Sequence, residues 1–221
     1  MFLVDTRVAN RPDLVTRRVA HEVAHQWWGY QLVPQSRGGA TTLTESLAKY
    51  TELMMLERLR GRDQVRELLD IELDRYLAGR SREEQRERTL ANAGDEPYLY
   101  YSKGALVFQA VRDLIGEDAL NAALRKLLDE NREAATTLDL LRQLRNVSTP
   151  AQFAIIDEWF EKIVLYELAV DTVDVKPLPG GSFRVGAHVS AAKREAAETC
   201  APTRKLPPGS GFTSTVSTAS S

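Results

Sequence analysis

Apolar residues recur at helical spacing through most of the chain. Residues 1–12 read as irregular. Past Pro12 and Asp13, the positions Val15, Val19, Ala20, Val23, Ala24 and Trp27 follow at three- and four-residue steps, which predicts a helix from about Asp13 to near Gly29. The stretch 30–43 holds Pro34, Gly38 and Gly39 and reads as a loop. Thr42 or Thr44 is placed to cap a second helix that runs to about Arg60 and is closed by Gly61. A third helix opens at Asp63, with Val65, Leu68, Leu69, Leu73, Tyr76 and Leu77 on one face. Residues 80–88 alternate in charge and read as a solvated helical face.

Beyond a break at 91–97, the run 101–115 is apolar on most sides and predicts a buried helix. Further helices are expected over 117–131, with Leu120, Leu124, Leu127 and Leu128 inward, and from Thr137 to about Val147. Ser148-Thr149-Pro150 is a cap followed by proline at the first helical position, and Phe153, Ile156, Trp159, Phe160 and Ile163 continue that helix. The period then changes. Residues 165–175 alternate and are rich in β-branched side chains, 177–181 is a turn, and 182–189 reads as a returning strand. The expected fold is mainly α with a short β element near the C-terminus. It divides into a helical part over 1–164, a β element over 165–190 and a disordered tail over 191–221. The last of these rests on the 14 Ser, Thr, Pro or Gly residues among the 22 from Cys200 to Ser221.

Composition narrows the choice of function. With 43% hydrophobic and 27% charged residues in 221, the chain is neither wholly disordered nor fibrous. A net charge of -2 lacks the basic footprint of a nucleic-acid binder. No apolar run reaches the ~18 residues of a membrane span, so the chain by itself is expected to be soluble; its compartment is left open, cytoplasmic as a free chain or membrane-associated as part of a larger protein. The single Cys200 excludes an internal disulfide and any multi-cysteine metal site.

Only 3 histidines are present, and two of them stand four residues apart in His21-Glu22-Val23-Ala24-His25. On a helix, such residues share a face, so both imidazoles can reach one ion. At ~100° per residue, Val15, Val19, Val23 and Trp27 form a stripe nearly opposite the histidines, so one face is expected to pack into a core while the other lines a cleft. Glu22 lies between these directions, within reach of a water on the ion. A catalytic zinc needs a third protein ligand, and Glu45, at the head of the next helix, is the candidate. The competing reading of Glu45 is a carboxylate favoured there by the helix dipole. Glu52, seven residues on, is placed to accept the spare ring N–H of a ligating histidine. His188, far along the chain, reads as structural.

His21-Glu22-Val23-Ala24-His25-Gln26-Trp27-Trp28-Gly29, with Glu45, Tyr50 and Glu52, resembles the zinc aminopeptidases of the aminopeptidase N family. Tyr101-Ser102-Lys103-Gly104 resembles that family's Y-x-K-G segment. Over roughly residues 14–190, the chain is most similar to bacterial members fused to ABC-transporter permease proteins. Ser46-Leu47-Ala48 stands where the commonest members have Gly-Phe-Ala, and no G-x-M-E-N motif precedes His21.

The resemblance implies the helical lobe of a thermolysin-like (gluzincin) catalytic domain. It implies one zinc ion held by His21, His25 and Glu45, with Glu22 as general base. It further implies that Tyr101, rather than Tyr98 or Tyr100, hydrogen-bonds the tetrahedral intermediate, a choice that spacing alone does not make. The implied activity is release of N-terminal residues from a peptide substrate. It also implies a fragment of a longer protein, membrane-associated if that parent is a permease. A non-catalytic, zinc-containing interaction module of a transporter-associated protein is the alternative.

Overall fold

The computed structural model describes residues 12–36, 38–82, 87–131 and 133–195. Cys200, the irregular N-terminal stretch and most of the expected tail lie outside the described residues. The chain divides into two compact units, one up to Lys162 and one from Ile163 onward.

The first unit is helical. Helices α1 (Pro12–Ala24), α2 (Leu47–Arg60), α3 (Arg62–Ser81), α4 (Gly104–Ile115), α5 (Glu117–Glu130), α6 (Thr137–Asn146) and α7 (Pro150–Glu161) follow in order. Two π-helical turns, Thr42–Ser46 and Tyr98–Lys103, lead directly into α2 and α4. Helix α2 is the hub, packing on α1, α3 and α4. Its Leu47 and Leu53 join Phe108, Leu120, Leu144 and Phe160 in one continuous core. The Phe108 and Phe160 rings meet edge to face at 5.6 Å, a favoured aromatic geometry. Capping boxes at Thr136/Asp139 and Thr149/Gln152 start α6 and α7, so the Thr149-Pro150 signal marks a true N-terminus.

Several expectations need correction. Helix α1 begins at Pro12 and its regular part stops at Ala24, not Gly29. The carbonyl of Ala24 takes both the Trp27 and Trp28 amides, and Gly29, at φ 125°, turns the chain so that Trp28 bridges to Leu32. Neither Thr42 nor Thr44 caps α2. Their hydroxyls donate instead to the carbonyls of Leu90 (2.6 Å) and Ala40 (3.2 Å).

The stripe Val19, Val23 and Trp27 is 40%, 39% and 41% exposed, whereas His21 is buried. The histidine face, not the apolar one, packs against α2. On α3 the buried positions are Val65, Leu68, Glu72 and Tyr76, while Leu73 and Leu77 are exposed. The phase follows Glu72, which pairs inward with the buried Lys49. Glu87, in the run expected to be solvated, is buried. It accepts from the hydroxyl of Tyr76 (2.9 Å) and from Lys103 (2.8 Å), and pairs with Arg80.

The second unit is an antiparallel hairpin of β1 (Val164–Pro177) and β2 (Phe183–Glu195). Strand β2 runs past Val189 into the stretch 191–221 assigned to the tail. Val185, Ala187, Val189 and Ala191 alternate onto one face opposite Val175, Val173, Val170 and Leu168. A bulge between Val170 and Thr172 absorbs the phase slip that would otherwise turn half of these residues over. His188 sits here, exposed, with Nδ1 2.9 Å from Asp171. Among the described residues no helix is long and apolar enough to cross a membrane.

Candidate metal centre

The turn that ends α1 also prepares a ligand. His25 Nδ1–H donates to the carbonyl of Trp28 at 3.0 Å. This fixes the tautomer and leaves Nε2 as a free acceptor. Trp28 is itself held, buried, by its indole N–H donating to Thr51 Oγ1 at 2.9 Å. One turn back, His21 Nε2 lies 3.3 Å from Oε2 of Glu45, and His25 Nε2 lies 3.7 Å from the same oxygen. The two imidazole centroids are 4.9 Å apart and nearly perpendicular. Donor atoms of His21, His25 and Glu45 all lie within 4.8 Å of one another, and they form the one such group among the described residues. Tetrahedral ligands on zinc sit about 3.3 Å apart. The two-nitrogen, one-carboxylate set therefore fits that ion by spacing and by chemistry.

Glu45 stands on the first π-helical turn, a distortion that recurs at functional sites. Burial raises its pKa, but His21, Tyr101 and His25 outweigh burial and hold it below the usual carboxylate value. Burial pulls His21 down, yet the carboxylates of Glu45 and Glu52 win and raise it to about 8. Glu52, also buried, is held down at about 2 because His21, Lys49 and Arg17 overcome its desolvation. Its Oε2 lies 3.6 Å from His21 Nδ1, a buried ring nitrogen with no hydrogen-bond partner among the described residues. A small closure would let that nitrogen donate to Glu52.

Glu22 is adjacent to His21, half-buried, and paired with Arg18 at 3.0 Å. Of the three tyrosines, Tyr101 is the one whose ring meets His21, at 5.6 Å between centroids. Tyr98 instead stacks on Tyr76. Burial and the Glu45 carboxylate push the Tyr101 phenol well above its ordinary pKa, so it remains a hydrogen-bond donor.

The second π-helical turn carries Tyr101, and each residue after it has a separate task. Ser102 Oγ donates to Glu72 at 2.8 Å, Lys103 pairs with Glu87, and Gly104 lies against Ser46. Sequence reasoning missed Arg17, Lys49 and Glu72, which surround Glu52 with charge. The available signal was Lys49 three residues before Glu52, on the same helical face.

The profile of the peptidase family M1 domain matches residues 1–161. No curated protein sequence matches the chain. Among solved structures, the M1 zinc metallopeptidase from Deinococcus radiodurans is 24% identical, with a TM-score of 0.50 over 66% of this chain and 32% of that one. A point mutant of the Deinococcus radiodurans M1 zinc metallopeptidase is likewise 24% identical, with a TM-score of 0.52 over 66% and 33%. The same mutant bound to a Tyr-Ser-Ala substrate is 24% identical, with a TM-score of 0.50 over 66% and 32%. These likenesses show the fold, and the chain spans about a third of the length of those structures. The profile covers most of the chain and includes every residue of the cluster, and on that ground the chain belongs to peptidase family M1.

Proposed function

We propose that this chain carries the catalytic centre of a zinc metallopeptidase of the aminopeptidase type, with peptides as its substrate. The observation that carries the reading is the sharing of one Glu45 oxygen by two histidine Nε2 atoms, at 3.3 and 3.7 Å. His21, His25 and Glu45 would hold the ion, and Glu52 would orient His21 through its Nδ1–H. When bound, zinc supplies Lewis acidity to the scissile carbonyl and to the attacking water.

The chain's own residues do the rest. Glu22 takes a proton from the attacking water and delivers it to the departing amine. It is half-exposed and held by Arg18, which leaves it open to solvent. The Tyr101 hydroxyl donates to the carbonyl oxygen as negative charge grows there. Its raised pKa keeps the proton in place for that purpose.

The test is metal content and hydrolysis of aminoacyl arylamides by the purified chain. The reading expects one zinc per chain, and turnover that Glu22→Ala abolishes while the zinc stays bound. Zinc without turnover on any peptide, in this chain or in a longer parent protein, would favour a non-catalytic zinc module. Absence of zinc would remove both readings.

A further inference from the structure

We propose that Glu72 is a positioning residue that ties the metal ligand His21 and the hydroxyl donor Tyr101 to a single buried anchor. The inference rests on the zinc reading above and extends it to a residue on a third helix, α3.

Glu72 is 1% exposed, although its neighbours on the same face are apolar. Its two oxygens serve different elements. Oε2 accepts from Ser102 Oγ at 2.8 Å, and Ser102 is the residue next to Tyr101. Oε1 lies 3.2 Å from Lys49 Nζ and 3.0 Å from Arg75 Nη1, with Arg17 Nη2 at 3.9 Å. Lys49, itself 6% exposed, passes the contact on. Its ammonium reaches both oxygens of Glu52, at 3.0 and 3.2 Å. Glu52 faces His21 Nδ1. Polar contacts therefore run from Ser102 through Glu72 and Lys49 to Glu52, whose Oε2 stands 3.6 Å from His21 Nδ1. Arg17 braces it from α1, donating to Glu52 at 2.9 Å.

A buried carboxylate is tolerated only when its charge is matched and its lone pairs are filled. Glu72 meets both conditions, and in doing so it fixes two separate elements. Without its charge, Lys49 keeps Glu52 as its remaining anion and is free to draw it away from His21. Without its second oxygen, Ser102 loses its anchor and the π-helical turn under Tyr101 can shift. A ligating histidine whose outer partner is disturbed loses metal affinity by about tenfold or more.

The test measures zinc affinity by chelator competition, and the visible spectrum of the chain loaded with cobalt(II). Glu72→Gln should bind zinc about tenfold more weakly and shift the cobalt bands. Lys49→Gln should do the same, and the double variant should be no weaker than the worse single one, because both act through Glu52. Leu127→Ala, a core change on α5, should lower thermal stability and leave the cobalt spectrum unchanged.

If Glu72→Gln does not fold, Lys49→Gln carries the test, with the same expected loss of about tenfold. Wild-type affinity and spectrum in the variants overturn the proposal, as does full additivity of the double variant. A wild-type chain that takes up neither metal overturns the zinc reading itself, and the unmutated sample alone identifies that outcome.

Discussion

Gly104 lies so close to Ser46 that a Cβ on it would sit 2.6 Å from the Ser46 Cβ and closer still to its hydroxyl. Ser46 Oγ in turn donates to the Tyr100 carbonyl at 2.6 Å. The two π-helical turns are thus pressed together between the residue after Glu45 and the residue before Tyr101. A methyl group on Gly104 forces them apart. Gly104→Ala is expected to destabilise the chain by about 1–3 kcal/mol, the usual range for overpacking. Thermal denaturation checks this, and zinc affinity should fall in parallel because Glu45 moves with Ser46.

The exposed stripe on α1 gives a prediction of the opposite kind. Val19 and Val23 touch solvent rather than the core, so replacing either by Thr should change stability by no more than about 0.5 kcal/mol. Denaturant titration of the two variants measures it. A loss of about 1 kcal/mol or more would mean the stripe is packed after all.

That stripe also shows what the sequence can and cannot reveal. The four-residue step between His21 and His25 implies a shared face wherever the chain is helical, and the last turn of α1 preserves that face even though its hydrogen bonds tighten. Glu45 was legible from its place at the head of α2. Which face of α1 meets α2 was not, since an apolar stripe states a preference for burial but names no partner. Glu72 was hidden for a related reason. Periodicity assigns interior positions to apolar residues, and Leu73 next to it made the better pattern. Lys49, Arg17 and Ser102 come from three other elements and only the fold brings them to its carboxylate. The π-helical turns have no sequence signature that composition or spacing exposes.

Metal uptake should depend on pH through His21. Its pKa is raised from 6.5 to about 8 in the metal-free protein, and zinc takes only the neutral ring. Below about pH 8 the ion must displace a proton, so apparent affinity should fall about tenfold per pH unit. Competition titrations between about pH 8.5 and about pH 6.5 test the slope. The same raised pKa adds stability to the metal-free fold that is complete below pH 6.5 and lost as pH rises through about 8.

Glu52 carries the reverse sign. Its pKa falls from 4.5 to about 2 on folding, so its contribution is present above pH 4.5 and lost as the pH drops toward 2. The size of that contribution is on the order of 3 kcal/mol. Glu52→Gln should remove the part of the acid-induced loss of stability that falls in this window. Unfolding curves measured across it compare the variant with the parent chain.

The most direct test of the account is X-ray absorption at the zinc edge of the purified chain, with metal content determined for His21→Ala, His25→Ala and Glu45→Ala. The account predicts one zinc per chain, bound to two imidazole nitrogens and carboxylate oxygen at about 2.0–2.2 Å, with binding lost in all three variants. A chain that holds no zinc, or three variants that each keep it, would contradict the account.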